Sequence, residues 1–144
     1  MAVKGLKSVL GSLKKFGKEA DESVEIITFA TAKDIELNAK QLAPVNKGKH
    51  GGFLRQMIAA EEVDPKNWRI VAKANYSAYM EFGTGGLVSV PKELKEMAMR
   101  FKGGGIRQIN ITPRPFLYPS WKKGQKEYLK ELKKELKLLT KKYN

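Results

Sequence analysis

Apolar or small residues recur at Leu6, Leu10, Leu13, Gly17, Ala20, Val24, Ile27, Thr31, Ile35, Asn38 and Leu42. Every step is three or four residues, so the stripe stays in phase with a helix of 3.6 residues per turn. The pattern predicts one long helix over residues 3–42. Lys4, Lys7, Lys14, Lys15 and Lys18 fall on the opposite side, which makes the first half amphipathic. Ile26, Phe29, Ala30 and Leu37 add apolar groups off the stripe and predict a middle section covered on more than one side. A helix of this length spans about 60 Å, more than a small domain is wide. Residues 1–20 are therefore expected to project as a helical arm or to pack on another chain. The apolar residues left over, Leu6, Val9, Leu10, Leu13 and Phe16, form the candidate assembly surface, because monomers rarely leave such a patch exposed. Gly5, Gly11 and Gly17 weaken this part by up to ~1 kcal/mol each, and a break near Gly17 is the alternative. Pro44 stops the helix, since the residue before a proline avoids helical backbone.

Beyond a basic, glycine-rich loop at residues 46–52, the period changes. Trp68, Ile70, Ala72 and Ala74 alternate with Arg69, Val71 and Lys73, the mark of a half-buried strand. Asp64-Pro65-Lys66-Asn67 is a turn signal, and residues 53–62 supply the other arm of a predicted hairpin. Residues 76–82 predict two helical turns, with Asn75 as N-cap and Gly83 as the positive-φ stop. Glu81 sits among apolar neighbours there. If buried it needs a basic partner or backbone amides. Pro91 opens a helix to about residue 102, with Leu94, Met97, Ala98 and Phe101 on one face. Gly103-Gly104-Gly105 ends it, and residues 106–111 alternate weakly as a strand. Pro113 and Pro115 take the chain out of any ladder. Phe116 and Trp121 are expected to anchor the last helix, which Ser120 caps and which runs to about Tyr143. Its seam is Leu129, Leu132, Leu136, Leu139 and Tyr143. The sum is a single α+β domain over residues 1–144, a small antiparallel sheet packed by a long N-terminal and a C-terminal helix.

Composition narrows the chemistry. The 144 residues contain no cysteine, which excludes disulfides and thiolate metal sites, and the single His50 cannot hold zinc alone. No metal or cofactor is expected. No apolar run approaches the ~18 residues of a membrane span. The net charge of +13 favours polyanions: nucleic acid, an acidic protein surface or anionic lipid.

Gly48-Lys49-His50-Gly51 lacks the spacing of a phosphate loop, and Gly103-Gly104-Gly105 opens no nucleotide-binding unit. No Ser-His-Asp set can be drawn around His50, and Glu61 and Glu62 face opposite ways on a strand. No catalytic residue is assigned, and the chain reads as a non-enzyme. Lys122, Lys126, Lys130, Lys133, Lys137 and Lys141 could track a phosphate backbone, so a basic nucleic-acid-binding module is the alternative function. A solvated helix face explains them as well, and no aromatic rings interleave as a stacking platform would require.

Three stretches carry a resemblance. They are Leu42-Ala43-Pro44-Val45 followed by Gly52-Phe53-Leu54-Arg55, then Tyr76-Ser77-Ala78-Tyr79-Met80-Glu81-Phe82-Gly83-Thr84, then Arg114-Pro115-Phe116-Leu117-Tyr118-Pro119-Ser120. In this order they resemble the head-to-tail joining, or tail-completion, proteins of long-tailed bacteriophages, with Ser120 where alanine is usual. Because Arg55 and Arg114 lie in the two outer resembling stretches, they are the candidate basic partners of Glu81 in the middle one. The resemblance implies a structural virion protein of the neck or tail, made in the host cytoplasm. It also implies assembly with itself as a ring, a hexamer around the channel, touching other phage neck and tail proteins. Contact with DNA would be incidental.

Overall fold

The computed structural model describes residues 5–48, 51–101 and 109–143. Helix α1, Leu6–Leu42, runs unbroken through Gly11 and Gly17. Neither glycine meets another group, so each costs helix propensity without breaking the rod. The helix closes when the Ala43 amide donates to the Ala39 carbonyl (2.9 Å), one residue before Pro44.

A short helix α2, Phe53–Gln56, follows, where the sequence pattern predicts the start of a strand. Gly52 takes φ 91° and its carbonyl accepts the Gln56 amide (3.0 Å), so the chain turns here before it can extend. Strands β1, Ile58–Asp64, and β2, Asn67–Ala72, pair antiparallel as the predicted hairpin. Ile58 faces Ala72, Ala60 faces Ile70 and Glu61 faces Arg69, with an irregularity between Glu62 and Asp64. The Asp64 carboxylate accepts the Lys66 amide (3.0 Å) and tightens the turn. β2 stops before Ala74, because past the Lys73 amide, which still donates to the Met57 carbonyl (2.9 Å), the facing chain is α2 and the Met57 amide is turned to Phe53 (3.1 Å).

Helix α3, Ser77–Phe82, precedes a looped segment with two 3₁₀ turns, Gly85–Leu87 and Lys92–Leu94. Of the helix predicted from Pro91, only that second turn and α4, Lys95–Met99, form. The triple glycine and residues 106–108 lie outside the described residues. Residues 109–111 form no strand, since their backbone groups bond to Thr84 rather than to a sheet.

Helix α5, Leu117–Tyr143, starts three residues before Ser120. It lies antiparallel to α1. Lys123 reaches Asn38, Tyr128 meets Thr28, Ser23 donates to Glu135 and Lys142 pairs with Glu19. Rings of Phe16 and Tyr143 meet edge to face at 5.7 Å. Gly124 lets the helices pack tightly, since a Cβ there would overlap Cγ1 and Cδ1 of Ile35. This shifts the predicted seam. Leu139 is buried and Tyr143 faces α1, but Leu129 and Leu136 are half exposed, and Gly124, Tyr128 and Glu135 take the facing positions. A small residue and two polar-tipped ones carry the contact, which an apolar count cannot register.

The hairpin covers another side of α1: Phe29 meets Trp68 edge-on at 5.4 Å, and Glu36 accepts the Ala60 amide (3.0 Å). Two coverings do bracket the middle of α1, yet Ile26 and Leu37 remain exposed. The core gathers Ala39, Ala43, Leu54, Ile58, Ala74 and Phe116, with Met57, Ile70, Ala72, Met80 and Leu117 around it.

Candidate functional site

The resembling stretches meet at one joint between the core and the start of α5. Ala43, Leu54, Phe82 and Phe116 are buried there, Phe116 to 1% exposure. Trp121, predicted to anchor with it, is 44% exposed and borders the cavity described below rather than filling the core.

Short helix α3 acts as a clamp. Its first turn is not capped by Asn75, which is exposed; Tyr76 holds the N-cap position and its carbonyl accepts the Tyr79 and Met80 amides. Gly83 ends the helix with φ 74° and ψ −177°. The sign of φ is as predicted, but ψ is extended, a combination open essentially to glycine alone. A Cβ there would lie 2.7 Å from the Ile111 carbonyl oxygen and 2.9 Å from Cδ of Pro113. That space is needed because the following residue laces the two segments together. The Thr84 amide donates to the Ile111 carbonyl (3.0 Å), and the Ile111 amide donates back to Thr84 Oγ1 (3.0 Å). One turn earlier, the Met80 carbonyl accepts the Arg114 amide (2.7 Å).

Glu81 completes the clamp. Only 7% exposed, it accepts three backbone amides: Phe116 (2.8 Å) and Leu117 (3.0 Å) on Oε2, and Tyr118 (2.8 Å) on Oε1. These are donors that the first turn of α5 cannot satisfy internally, and the carboxylate also meets the positive end of a 27-residue helix. Of the predicted alternatives, backbone amides hold it. Arg55 and Arg114 are exposed, and Arg114 contributes only its main chain. Ser120, predicted as the cap, is buried in the first turn and donates to the Phe116 carbonyl (2.6 Å). Pro119 fits the same turn because no helical acceptor awaits an amide there. Three of the roughly four acceptor sites of Glu81 are thus taken by main-chain amides, which makes it a structural clamp.

The other residues of the three stretches divide by exposure. Gly52 provides the turn into α2, and Pro44 and Thr84 are half-buried. Arg55, Tyr76, Tyr79 and Pro115 face outward. Phe53 stacks on Tyr76 with ring centres 6.4 Å apart.

Beside the clamp lies a cavity of about 600 Å³, walled by Ala32, Ile35, Trp68, Met97, Trp121 and Tyr128 among others. The indole Nε1 of Trp68 is buried with no acceptor among the described residues. The sequence signal for this cavity was the aromatic content of β2 and early α5, which period alone assigned to the core. No group of His, Asp or Glu suited to a metal ion occurs among the described residues. Nor is any described helix long and apolar enough to cross a membrane.

At the far end of α1, Leu6, Val9, Leu10 and Leu13 are 49–60% exposed and share one helical face. Phe16 belongs elsewhere: it is half-buried against Tyr143. Along α5, Lys126, Lys133, Lys137 and Lys141 face solvent, while Lys122 pairs with Glu93 (3.2 Å) and Lys130 approaches Glu127 (3.9 Å).

A family model described as "Bacteriophage HK97-gp10, putative tail-component" matches residues 7–83. That span runs from the first turn of α1 to Gly83, more than half of the chain. No curated protein and no solved structure matches the chain. The chain belongs to this HK97-gp10-like family of phage tail components.

Proposed function

We propose that this tail component is a non-catalytic structural protein of the phage neck, one that completes or joins the tail at the head–tail interface as a subunit of a ring. The ring is read as a hexamer around the channel, in contact with other neck and tail proteins, and the subunit reaches the virion from the host cytoplasm. The observation that carries this reading is the unpartnered face of α1. Leu6, Val9, Leu10 and Leu13 stand beyond the last α5 contact, at Phe16, on a rod too long for its own sheet to cover. A strand spans ~17–20 Å, against about 56 Å for α1. A helix face of that kind is the feature a ring subunit presents to a neighbour, and cyclic closure asks for different surfaces on the two sides of each contact.

The test removes residues 1–14, which spares the Phe16–Tyr143 contact. The shortened chain should melt as a folded protein and fail to join heads to tails when it replaces the full chain in infected cells. Heads carrying tails at the normal fraction would refute the assembly role of this segment. Failure to fold would place it in the core instead.

The exposed lysines of α5 and the net charge of +13 favour a second reading, a nucleic-acid-binding module. A salt titration separates the two. Incidental contact is lost steeply as salt rises, whereas a dedicated module keeps tight binding at physiological salt.

A further inference from the structure

Two surfaces that are unpartnered among the described residues are complementary. One is the face of Leu6, Val9, Leu10 and Leu13. Residues 6–16 carry three lysines and no acid. Lys7 and Lys14, three before and four after Leu10, border the apolar stripe on the Leu10 side rather than lying opposite it as the sequence pattern suggests. The other is a cleft of about 290 Å³ between α1 and α5, walled by Glu19, Glu22, Ile26, Glu135, Leu138 and Lys142, among others. It exposes apolar groups, Ile26 at 67% and Leu138 at 54%. Its charge runs against the rest of the molecule, three carboxylates to one ammonium on a chain of net +13.

We infer that this cleft is the receptor for the N-terminal helical segment of a second copy of the chain, with Leu10 and Leu13 against Ile26 and Leu138 and the flanking lysines on Glu22 and Glu135. The inference rests on the assembly role proposed above and names the partner.

A chain's own segment cannot occupy its own cleft. Leu10 and Ile26 lie on one continuous helix, sixteen residues and about 24 Å apart. The contact is therefore between copies. It joins two different surfaces, which is the heterologous arrangement that a ring requires. The carboxylates are already positioned. Ser23 holds Glu135 (3.0 Å) and Lys142 holds Glu19 (2.8 Å), while Glu22 has only a long approach from Lys18 (3.8 Å). Glu22 is thus the most available partner for an incoming lysine. The wider cavity beside Trp68 is the poorer receptor, because the one carboxylate on its wall, Glu81, is taken by main-chain amides and the cations Lys66 and Arg69 stand beside it.

The absence of cysteine makes the test direct. A Leu10→Cys chain is mixed with an Ile26→Cys chain under mild oxidation, as free protein and in purified tails carrying both. A disulfide forms only when the Cβ atoms come within ~3.5–4.5 Å. Mass spectrometry should find the mixed Leu10–Ile26 disulfide well above either like-with-like product. Adding Lys7→Glu and Lys14→Glu to the first chain should lower its yield about tenfold, and Glu22→Lys in the second should restore it. Absence of the mixed disulfide from both samples, dominance of the Leu10–Leu10 product or failure of the charge exchange to rescue would overturn the inference. If removal of residues 1–14 blocks joining while no mixed disulfide forms, the segment meets another tail protein and only the present inference fails. If joining survives that removal, the proposed assembly role fails.

Discussion

Glu81→Ala should be among the most damaging single substitutions in this protein, although the residue sits on a six-residue helix. The change strips the acceptor from the amides of Phe116, Leu117 and Tyr118 at once. Their costs differ. The Phe116 amide is buried, so water cannot replace the lost acceptor; an orphaned buried donor costs ~1–3 kcal/mol. The Leu117 and Tyr118 amides are part-buried and recover some solvation. Losing a carboxylate from a helix N-terminus adds up to ~1–2 kcal/mol. Because the three bonds share one side chain, these figures overlap, and a net loss of about 3–5 kcal/mol is expected. That is a large share of the ~5–15 kcal/mol that a domain holds in total. Glu81→Gln should lose less, about 2 kcal/mol, because its oxygen can keep the two bonds now made to Oε2. Its amide nitrogen would then face the Tyr118 amide donor to donor. Urea unfolding followed by circular dichroism gives both values from the midpoint shift at unchanged slope. A loss below about 1 kcal/mol for Glu81→Ala would mean that water serves these amides equally well, and the clamp would not hold α5.

Gly83→Ala must place a Cβ 2.7 Å from the Ile111 oxygen at a φ of 74°, and should cost about 2–4 kcal/mol in the same assay. Gly124→Ala drives a Cβ into Ile35 and should cost about 1–3 kcal/mol; adding Ile35→Ala should recover part of that loss, a coupling that a double-mutant cycle reads. Phe116→Ala empties the best-buried large site and should cost about 3–5 kcal/mol. Lys40, the Ala60 amide and Lys33 hold the Glu36 carboxyl down at about 2, from an ordinary 4.5, against the opposing effect of burial. A carboxyl lowered on folding contributes its stability above the unfolded value and loses it as pH falls toward the folded one. Stability should therefore drop between about pH 4.5 and 2, and Glu36→Gln should flatten that limb while costing about 1–2 kcal/mol at neutral pH, given how exposed the lysines are.

What the sequence made legible was local. The stripe of α1 and its stop at Pro44 follow from period and proline chemistry. The hairpin follows from alternation and the Asp64-Pro65 turn. What it concealed was set at a distance. The partner of Glu81 lies 35 to 37 residues away in sequence, and no spacing rule connects a carboxylate to main-chain amides so remote. The α5 seam was displaced because Gly124 and Tyr128 face α1, and neither counts as apolar in a pattern of leucines. The alternation of residues 109–111 resembled a strand, yet Thr84 satisfies their main chain through one side chain and one amide, so no ladder is needed. Residues 53–56 read as strand by composition, and only the positive φ of Gly52 reveals the turn that makes them helical.

The clamp and the exposed end of α1 lie at opposite ends of the molecule, yet one fixes the other. Glu81 sets where α5 begins, and α5 then runs antiparallel down α1 with Gly124 seated on Ile35. A helix of 27 residues covers about 40 Å, against about 56 Å for the 37 residues of α1. The difference, about 16 Å, corresponds to the ten or so residues that precede Phe16, where α5 ends against Tyr143. The amount of apolar face left for a neighbour is thus fixed by two helix lengths and one register. Moving the start of α5 by a single turn would shift its end by about 5.4 Å. Phe16 would then be uncovered, or Leu13 covered, and the acidic cleft at Ile26 would lose its alignment with Leu138. On the proposed assembly role, the residues that carry the family resemblance need not touch a partner to matter. By holding Glu81 against the first amides of α5, they determine which part of α1 remains available to be touched.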